Sequence, residues 1–277
     1  MSQHQMIGYL PGDTFIHRLS GTTKLLALIL ISVACMTTYD TRFLIATSLI
    51  SIFLFKISHI KWSDISFIVK FITVFSILNL IAVYIFSPRY GTTIYGTEHI
   101  VWGGFGRFNL TQEQLFYEFN LLLKYVSSIP FVLLFLLTTN PSEFASSLNK
   151  IGVSYKISYS VALAIRYIPD IQVSYYDISA SQQARGYEMS KKASLSKRVK
   201  GAMQIVFPLI LSSLERIEVI STAMELRRFG KHKKRTWYSS KPFTKIDLFV
   251  IFLSIVIVLI SFILIYLNGS RFYNPFI

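Results

Sequence analysis

Arg185 and Arg227 stand 42 positions apart, each at the end of a segment with helical periodicity and just before a break. The first segment closes on Gln183-Ala184-Arg185-Gly186, the second on Leu226-Arg227-Arg228-Phe229-Gly230. Two chemistries suit an arginine in that place. It can cap its own helix, where a cation gains about 0.3–1 kcal/mol from the helix dipole. Alternatively its guanidinium, a planar fork of donors, can leave the chain and enter a carboxylate-bearing groove of a partner. The other reactive residue types offer less. Cys35 is the only cysteine, which excludes an intrachain disulfide and a Cys-based metal site. His4, His17, His59, His99 and His232 are scattered, with no i,i+4 pair and no His-x-His, so a zinc site is not expected. There is no Walker A sequence, so ATP, if used, is bound by another chain. The expectation is no catalytic residue, no cofactor and no metal.

The elements that would carry the two arginines are legible. Ile157, Val161, Ile165, Ile168, Ile171, Tyr175 and Ile178 recur every three or four residues and predict one long amphipathic helix. Arg166, Asp170, Gln172, Asp177 and Gln182 fall on its other faces, Pro169 should kink it, and Gly186 should stop it. A basic linker, Lys191 to Lys200, leads to a second amphipathic helix over Pro208–Phe229. Its stripe is Ile210, Leu214, Ile217, Ile220 or Ser221, and Met224. Ahead of both, Asn140 suits an N-cap, Pro141 the first helical position and Glu143 the capping-box acid. They predict a short helix to about Lys150 that stops at Gly152.

The rest of the chain reads as membrane. Of 277 residues, 52% are hydrophobic and 15% charged, against about 25% charged in a soluble domain. Mean hydropathy is +0.50. Five spans are expected, at Leu25–Tyr39, Phe43–Phe55, Ile65–Phe86, Tyr125–Leu137 (starting upstream near Leu115) and Phe249–Leu267. The first 23 residues are polar and lack the apolar segment of a signal peptide. The net charge of +14 gathers beside the apolar runs and does not form a stripe interleaved with stacking aromatics. That pattern argues for a cytoplasmic membrane face and against nucleic acid. It puts the N-terminus and residues 140–243 inside, and the Gly-rich loop Gly91–Gly106 and the C-terminus outside. The predicted fold class is an all-α integral membrane protein of about five transmembrane helices with a cytoplasmic module of amphipathic helices. Its divisions are 1–139 (four spans), 140–243 (the module) and 244–277 (the last span).

Charges at membrane depth are costly and therefore informative. Lys70 is close enough to the inner face to snorkel, and Asp247 precedes the last run. Lys124 lies deeper; snorkelling is the favoured reading, contact with another helix or a partner the other. No span holds a paired set of Asp, Glu or His, which argues against a proton relay or an intramembrane hydrolase. Asn79 is the main isolated polar candidate for a membrane enzyme or stand-alone permease, and is better read as a helix–helix hydrogen bond.

Taken together, several stretches resemble the transmembrane T-component family of energy-coupling factor transporters. Gln183-Ala184-Arg185-Gly186 and Ala223-Met224-Glu225-Leu226-Arg227-Arg228-Phe229 resemble its two Ala-Arg-Gly motifs. His17-Arg18-Leu19-Ser20-Gly21-Thr22-Thr23-Lys24-Leu25 resembles its His-Arg-Leu-Asp-Pro-x-x-Lys-Leu, with Ser20-Gly21 in place of Asp-Pro. Thr138-Thr139-Asn140-Pro141 and Arg166-Tyr167-Ile168-Pro169 resemble its Thr-Thr-x-Pro and Arg-Phe-x-Pro. Arg228 stands where the second motif has glycine, which leaves the backbone of that helix end open. The resemblance implies a non-catalytic coupling subunit in the cell membrane, joining two ATP-binding cassette ATPases to a small substrate-binding membrane subunit that takes up a vitamin or metal ion. It implies ATPase docking through Ala184, Arg185, Gly186, Leu226, Arg227 and Arg228.

Overall fold

The computed structural model describes residues 9–103, 108–186, 195–232, 236–238 and 240–276. In chain order the elements are α1 (Phe15–Arg18), α2 (Gly21–Thr37), α3 (Thr41–Ile57), α4 (Trp62–Phe86), α5 (Tyr90–Tyr95), β1 (Ile100–Trp102), β2 (Leu110–Thr111), α6 (Gln112–Thr138), α7 (Pro141–Lys150), α8 (Tyr155–Ala184), α9 (Leu195–Leu226) and α10 (Lys245–Leu267). The described residues fall into two compact units. One lies within 140–240; the other joins 9–139 to 241–276. The fold is an all-α membrane protein, as the composition requires.

In the second unit α6 is the central helix. It packs against α2, α3, α4 and α5, while α10 lies along α2. Ile31, Ala34, Cys35, Phe43, Leu44, Leu123 and Phe131 form the main apolar cluster. Among the described residues, α4, α6 and α10, with 25, 27 and 23 residues, are long and apolar enough to cross a bilayer unaided. Five spans were expected; α2 and α3 have 17 residues each. At 1.5 Å per residue they reach about 25 Å, short of a core of about 30 Å.

The helix starts explain the boundaries. Ser20 Oγ accepts the Thr23 amide at 3.2 Å, so the Ser20-Gly21 variant still caps α2. The Ser20 amide donates to buried Asp247 Oδ1 at 2.9 Å. Asp247 is also the capping-box acid of α10, whose first turn therefore starts at Lys245, ahead of the apolar run. Asp40 caps α3 through the amides of Arg42 and Phe43. In the stretch read as a Gly-rich outer loop, 91–95 lie in α5 and Ile100–Trp102 form β1, antiparallel to β2 beyond it. Glu113, fully buried at the start of α6, holds it by accepting from the His99 amide and the Thr97 hydroxyl. At Gly91 a Cβ would lie 2.5 Å from the Gln114 nitrogen, so only glycine permits this approach.

Lys124 does not snorkel. It is 4% exposed; its ammonium donates to the Met36 carbonyl at 2.8 Å and sits 3.3 Å from the centre of the Tyr39 ring. Met36 lies in the last turn of α2, where carbonyls have no partner within the helix. Lys24 does the same for the last turn of α6, donating to the Thr138 carbonyl at 2.7 Å. Asn79 Oδ1 accepts from the Tyr125 hydroxyl at 2.8 Å, a hydrogen bond between α4 and α6 as expected.

Candidate functional site: two helices that end on arginines

Residues 140–240 contain α7, α8 and α9. Asn140 Oδ1 accepts the Ser142 amide at 3.0 Å, Pro141 opens α7, and Gly152 takes a φ of +109° just after it. These are the start and stop expected from the residue types. α8 then runs for 30 residues with Pro169 inside it. α9 is longer than expected. It begins at Leu195 and not Pro208, so the last part of the basic stretch is helical. Lys191 and Lys192 lie outside the described residues. Buried Gly201 and Ile205 extend the packed face of α9 upstream, which is why Pro208 lies within it.

α9 runs back along α8. At one end Phe229, just past α9, lies 5.6 Å from Tyr155 and 4.6 Å from Tyr159 by ring centroid. Trp237 joins them at 5.4 Å from Tyr155, and its indole N–H donates to Asn149 Oδ1 at 3.1 Å. Midway, Arg216 reaches Asp170 at 3.8 Å; both are well exposed, so the pair contributes little. Between the helices a groove of about 350 Å³ is lined by Leu163, Tyr167 and Ile171 of α8 and by Ile217, Ile220 and Met224 of α9. Much of the expected stripe of α9 stays uncovered: Ile210, Leu214 and Ile217 are all more than half exposed.

The antiparallel course puts Arg227 beside the first turn of α8 and Arg185 at that helix's other end. At 1.5 Å per residue the 30-residue helix separates them by about 40 Å. The two ends share a geometry. Arg185 is the C-cap residue of α8, its amide bonded to the Ser181 and Gln182 carbonyls. Gly186 follows with a φ of +90°, its amide on the Gln183 carbonyl at 2.9 Å. Arg227 caps α9 with its amide on the Ala223 carbonyl at 3.2 Å. Arg228 follows with a φ of +53°, its amide on Glu225, while the Phe229 amide reaches Met224. That is a Schellman closure in which Arg228 adopts the left-handed conformation glycine would favour. The left-handed turn is thus made without a glycine. Ala184, Arg185, Gly186, Leu226, Arg227 and Arg228 are all exposed. Among the described residues no side chain pairs with the guanidinium of Arg185 or Arg227.

The aromatic clasp of Tyr155, Tyr159, Phe229 and Trp237 was not anticipated. Tyr155 and Tyr159 carry an i,i+4 signal; their partners lie 70 or more positions away in sequence, and no periodicity links them.

A family model described as CbiQ, cobalt transport protein, matches residues 12–238, most of the chain and both arginine-ended helices. The chain belongs to this family. Among its relatives is the energy-coupling factor transporter transmembrane protein EcfT of Brevibacillus brevis, 30% identical over 94% of this chain and 98% of the relative. The protein of the same description from Streptococcus thermophilus is 27% identical over 83% and 86%, and that of Lactococcus lactis subsp. cremoris 26% over 95% and 98%. This CbiQ-family member is the transmembrane component of an energy-coupling factor transporter, and its two cap arginines lie within the matched region.

Proposed function

We propose that this chain is the non-catalytic coupling subunit of an ATP-driven importer and that its two helix-end arginines dock two separate ATPase subunits. The observation that carries the reading is the pair of exposed, unpartnered cap arginines set about 40 Å apart on one antiparallel helix pair. A self-capping role would not require two ends of matched geometry facing away from the chain. Arg185, flanked by Ala184 and Gly186, enters a carboxylate-bearing groove of one ATPase; Arg227, flanked by Leu226 and Arg228, enters that of the other. Residues 140–243 and the N-terminus lie on the cytoplasmic side, where the basic residues concentrate. The frame is then 1–139 and 244–277, the working module 140–243. The groove and exposed apolar face of α8 and α9 receive a small membrane subunit that binds a vitamin or metal ion. ATP-driven closure of the ATPases shifts α8 and α9 and so reorients that subunit.

Arg185→Glu or Arg227→Glu should each lower substrate uptake at least tenfold, since reversing one partner of a desolvated charge pair costs about 2–5 kcal/mol. The amount of chain in the membrane should stay the same. Uptake at the wild-type rate by either variant would overturn the docking role of that arginine.

A further inference from the structure

The ribbon β1–β2 is apolar and uncovered. Ile100, Val101 and Trp102 are each more than half exposed, and Phe108, just ahead of β2, is exposed as well. Side chains alternate along a strand, so Ile100 and Trp102 take one face and Val101 the other, and neither face of β1 is polar. Among the described residues the sheet has two strands, which leaves each with one edge lacking a strand partner. An apolar ribbon with open edges is an aggregation hazard in water. In hydrocarbon its unpaired backbone groups would be costly.

The height of the ribbon along the spanning helices follows from its contacts. α4 and α6 run antiparallel: Ile65 packs with Leu133 and Leu137, and Asn79 accepts from Tyr125. The Tyr84 hydroxyl donates to the Phe108 carbonyl at 3.1 Å, with the two rings 6.4 Å apart. At 1.5 Å per residue Tyr84 stands about 8 Å beyond the Asn79–Tyr125 bond, whereas Gln112, the first residue of α6, stands about 20 Å beyond it. The chain therefore climbs about 12 Å from Phe108 to Gln112, which four extended steps of about 3.3 Å each cover. The ribbon hangs from the start of α6 back along α4. Trp102, opposite Leu110, lies nearer its low end than Ile100, opposite Thr111. That low end meets the last turn of α4, a helix long and apolar enough to span a bilayer and still apolar and exposed at Ile85 and Phe86. The uncovered face of the span thus continues into the ribbon. The end of a span is the level where Trp and Tyr are enriched. We propose that β1–β2 is an interfacial anchor, with Trp102 and Phe108 seated in the headgroup layer of the bilayer. There the apolar side chains are covered, and the open strand edges still find water and headgroup partners. The surface is independent of the ATPase docking proposed above.

The test is fluorescence quenching in phosphatidylcholine bilayers. Trp62→Phe/Trp237→Phe leaves Trp102 as the only tryptophan of the full-length chain. Lipid brominated near the headgroup should remove most of the Trp102 emission, lipid brominated near the chain end should remove less, and aqueous iodide should remove little. If the double variant fails to fold, the difference between the native chain and Trp102→Phe, a change at an exposed site, isolates the same signal. Labelling the chain with 5-hydroxytryptophan, which is excited apart from ordinary tryptophan, extends the measurement to the transporter complex. Strong iodide quenching with no effect of either brominated lipid would put the ribbon in water and overturn the proposal. Stronger quenching by the deep bromines would put it in the hydrocarbon core and overturn the headgroup placement. Lipid quenching in the isolated chain that vanishes in the complex would give the surface to a protein partner and overturn it equally.

Discussion

Lys24 and Lys124 end on the last carbonyls of neighbouring helices and are almost fully buried. Arg185 and Arg227 sit at the ends of their own helices and are exposed, with no side-chain partner among the described residues. All four cations lie where a helix dipole is negative. The two lysines spend their hydrogen bonds inside the frame. The arginines keep their forks open. A side chain that merely caps gains little from being an arginine, whereas one that must grip a carboxylate bidentately gains geometry as well as charge. The contrast separates residues that hold the membrane unit together from residues left free for the partner proposed above.

The largest expected break on the frame side is Asp40→Ala. Asp40 is fully buried and accepts from the Arg42 amide, the Arg42 guanidinium at 2.8 Å and Asn268 Nδ2 at 2.8 Å. Losing the cap and stranding these donors should cost about 3 kcal/mol, read as a lower thermal midpoint of the purified chain. Burial pushes the Asp40 carboxyl up, but the hydrogen bonds and charge of Arg42, with Asn268, outweigh it and leave the group below its usual value. A depressed carboxylate contributes stability that is present above its unfolded pKa of about 3.9 and lost as pH falls through the lower folded value. As pH falls below about 4, the difference between wild type and Asp40→Ala should therefore shrink by the share that ionisation contributes. A difference unchanged by acid would remove ionisation from the account.

Next in size is Lys124→Met. It leaves the Met36 carbonyl without its donor and should cost about 2 kcal/mol of stability, with ATPase binding intact. Unchanged stability would return Lys124 to a peripheral role. Arg228→Gly works in the other direction. A non-glycine residue in the left-handed region carries a strain of about 1 kcal/mol, so glycine at a φ of +53° should stabilise the end of α9 by that amount. Hydrogen exchange of the Phe229 amide is the readout, and faster exchange would contradict the Schellman geometry. The smallest effect is Asn79→Leu, which removes the bond from Tyr125 and should cost about 0.6 kcal/mol, with transport retained. Loss of transport there would revive a chemical role for Asn79.

Much of this was legible in the residues. Period and turn chemistry placed α7, α8 and α10 and located both arginines, because helix stops such as Gly152 and Gly186 act locally. What escaped depends on distance in sequence. The partner of Lys124 is a carbonyl 88 positions away, and the clasp joins Tyr155 to Phe229 and Trp237. The start of α9 was missed because Pro208 is a common first-turn residue and here sits inside the helix. The left-handed Arg228 had no signal in composition; only the backbone hydrogen bonds to Glu225 and Met224 reveal it. Most of the frame and the positions of the site residues were therefore readable. The antiparallel course that sets Arg185 and Arg227 far apart was not.

The most direct test of the docking claim is affinity purification of the chain from detergent-solubilised membranes, wild type beside the Arg185→Glu/Arg227→Glu double variant. Bound ATPase is then quantified per molecule of chain. The account predicts normal insertion and folding with ATPase recovery reduced at least a hundredfold, as two lost charge pairs of about 2 kcal/mol or more each require. Wild-type recovery of ATPase by the double variant would contradict it and leave the arginines as caps of their own helices.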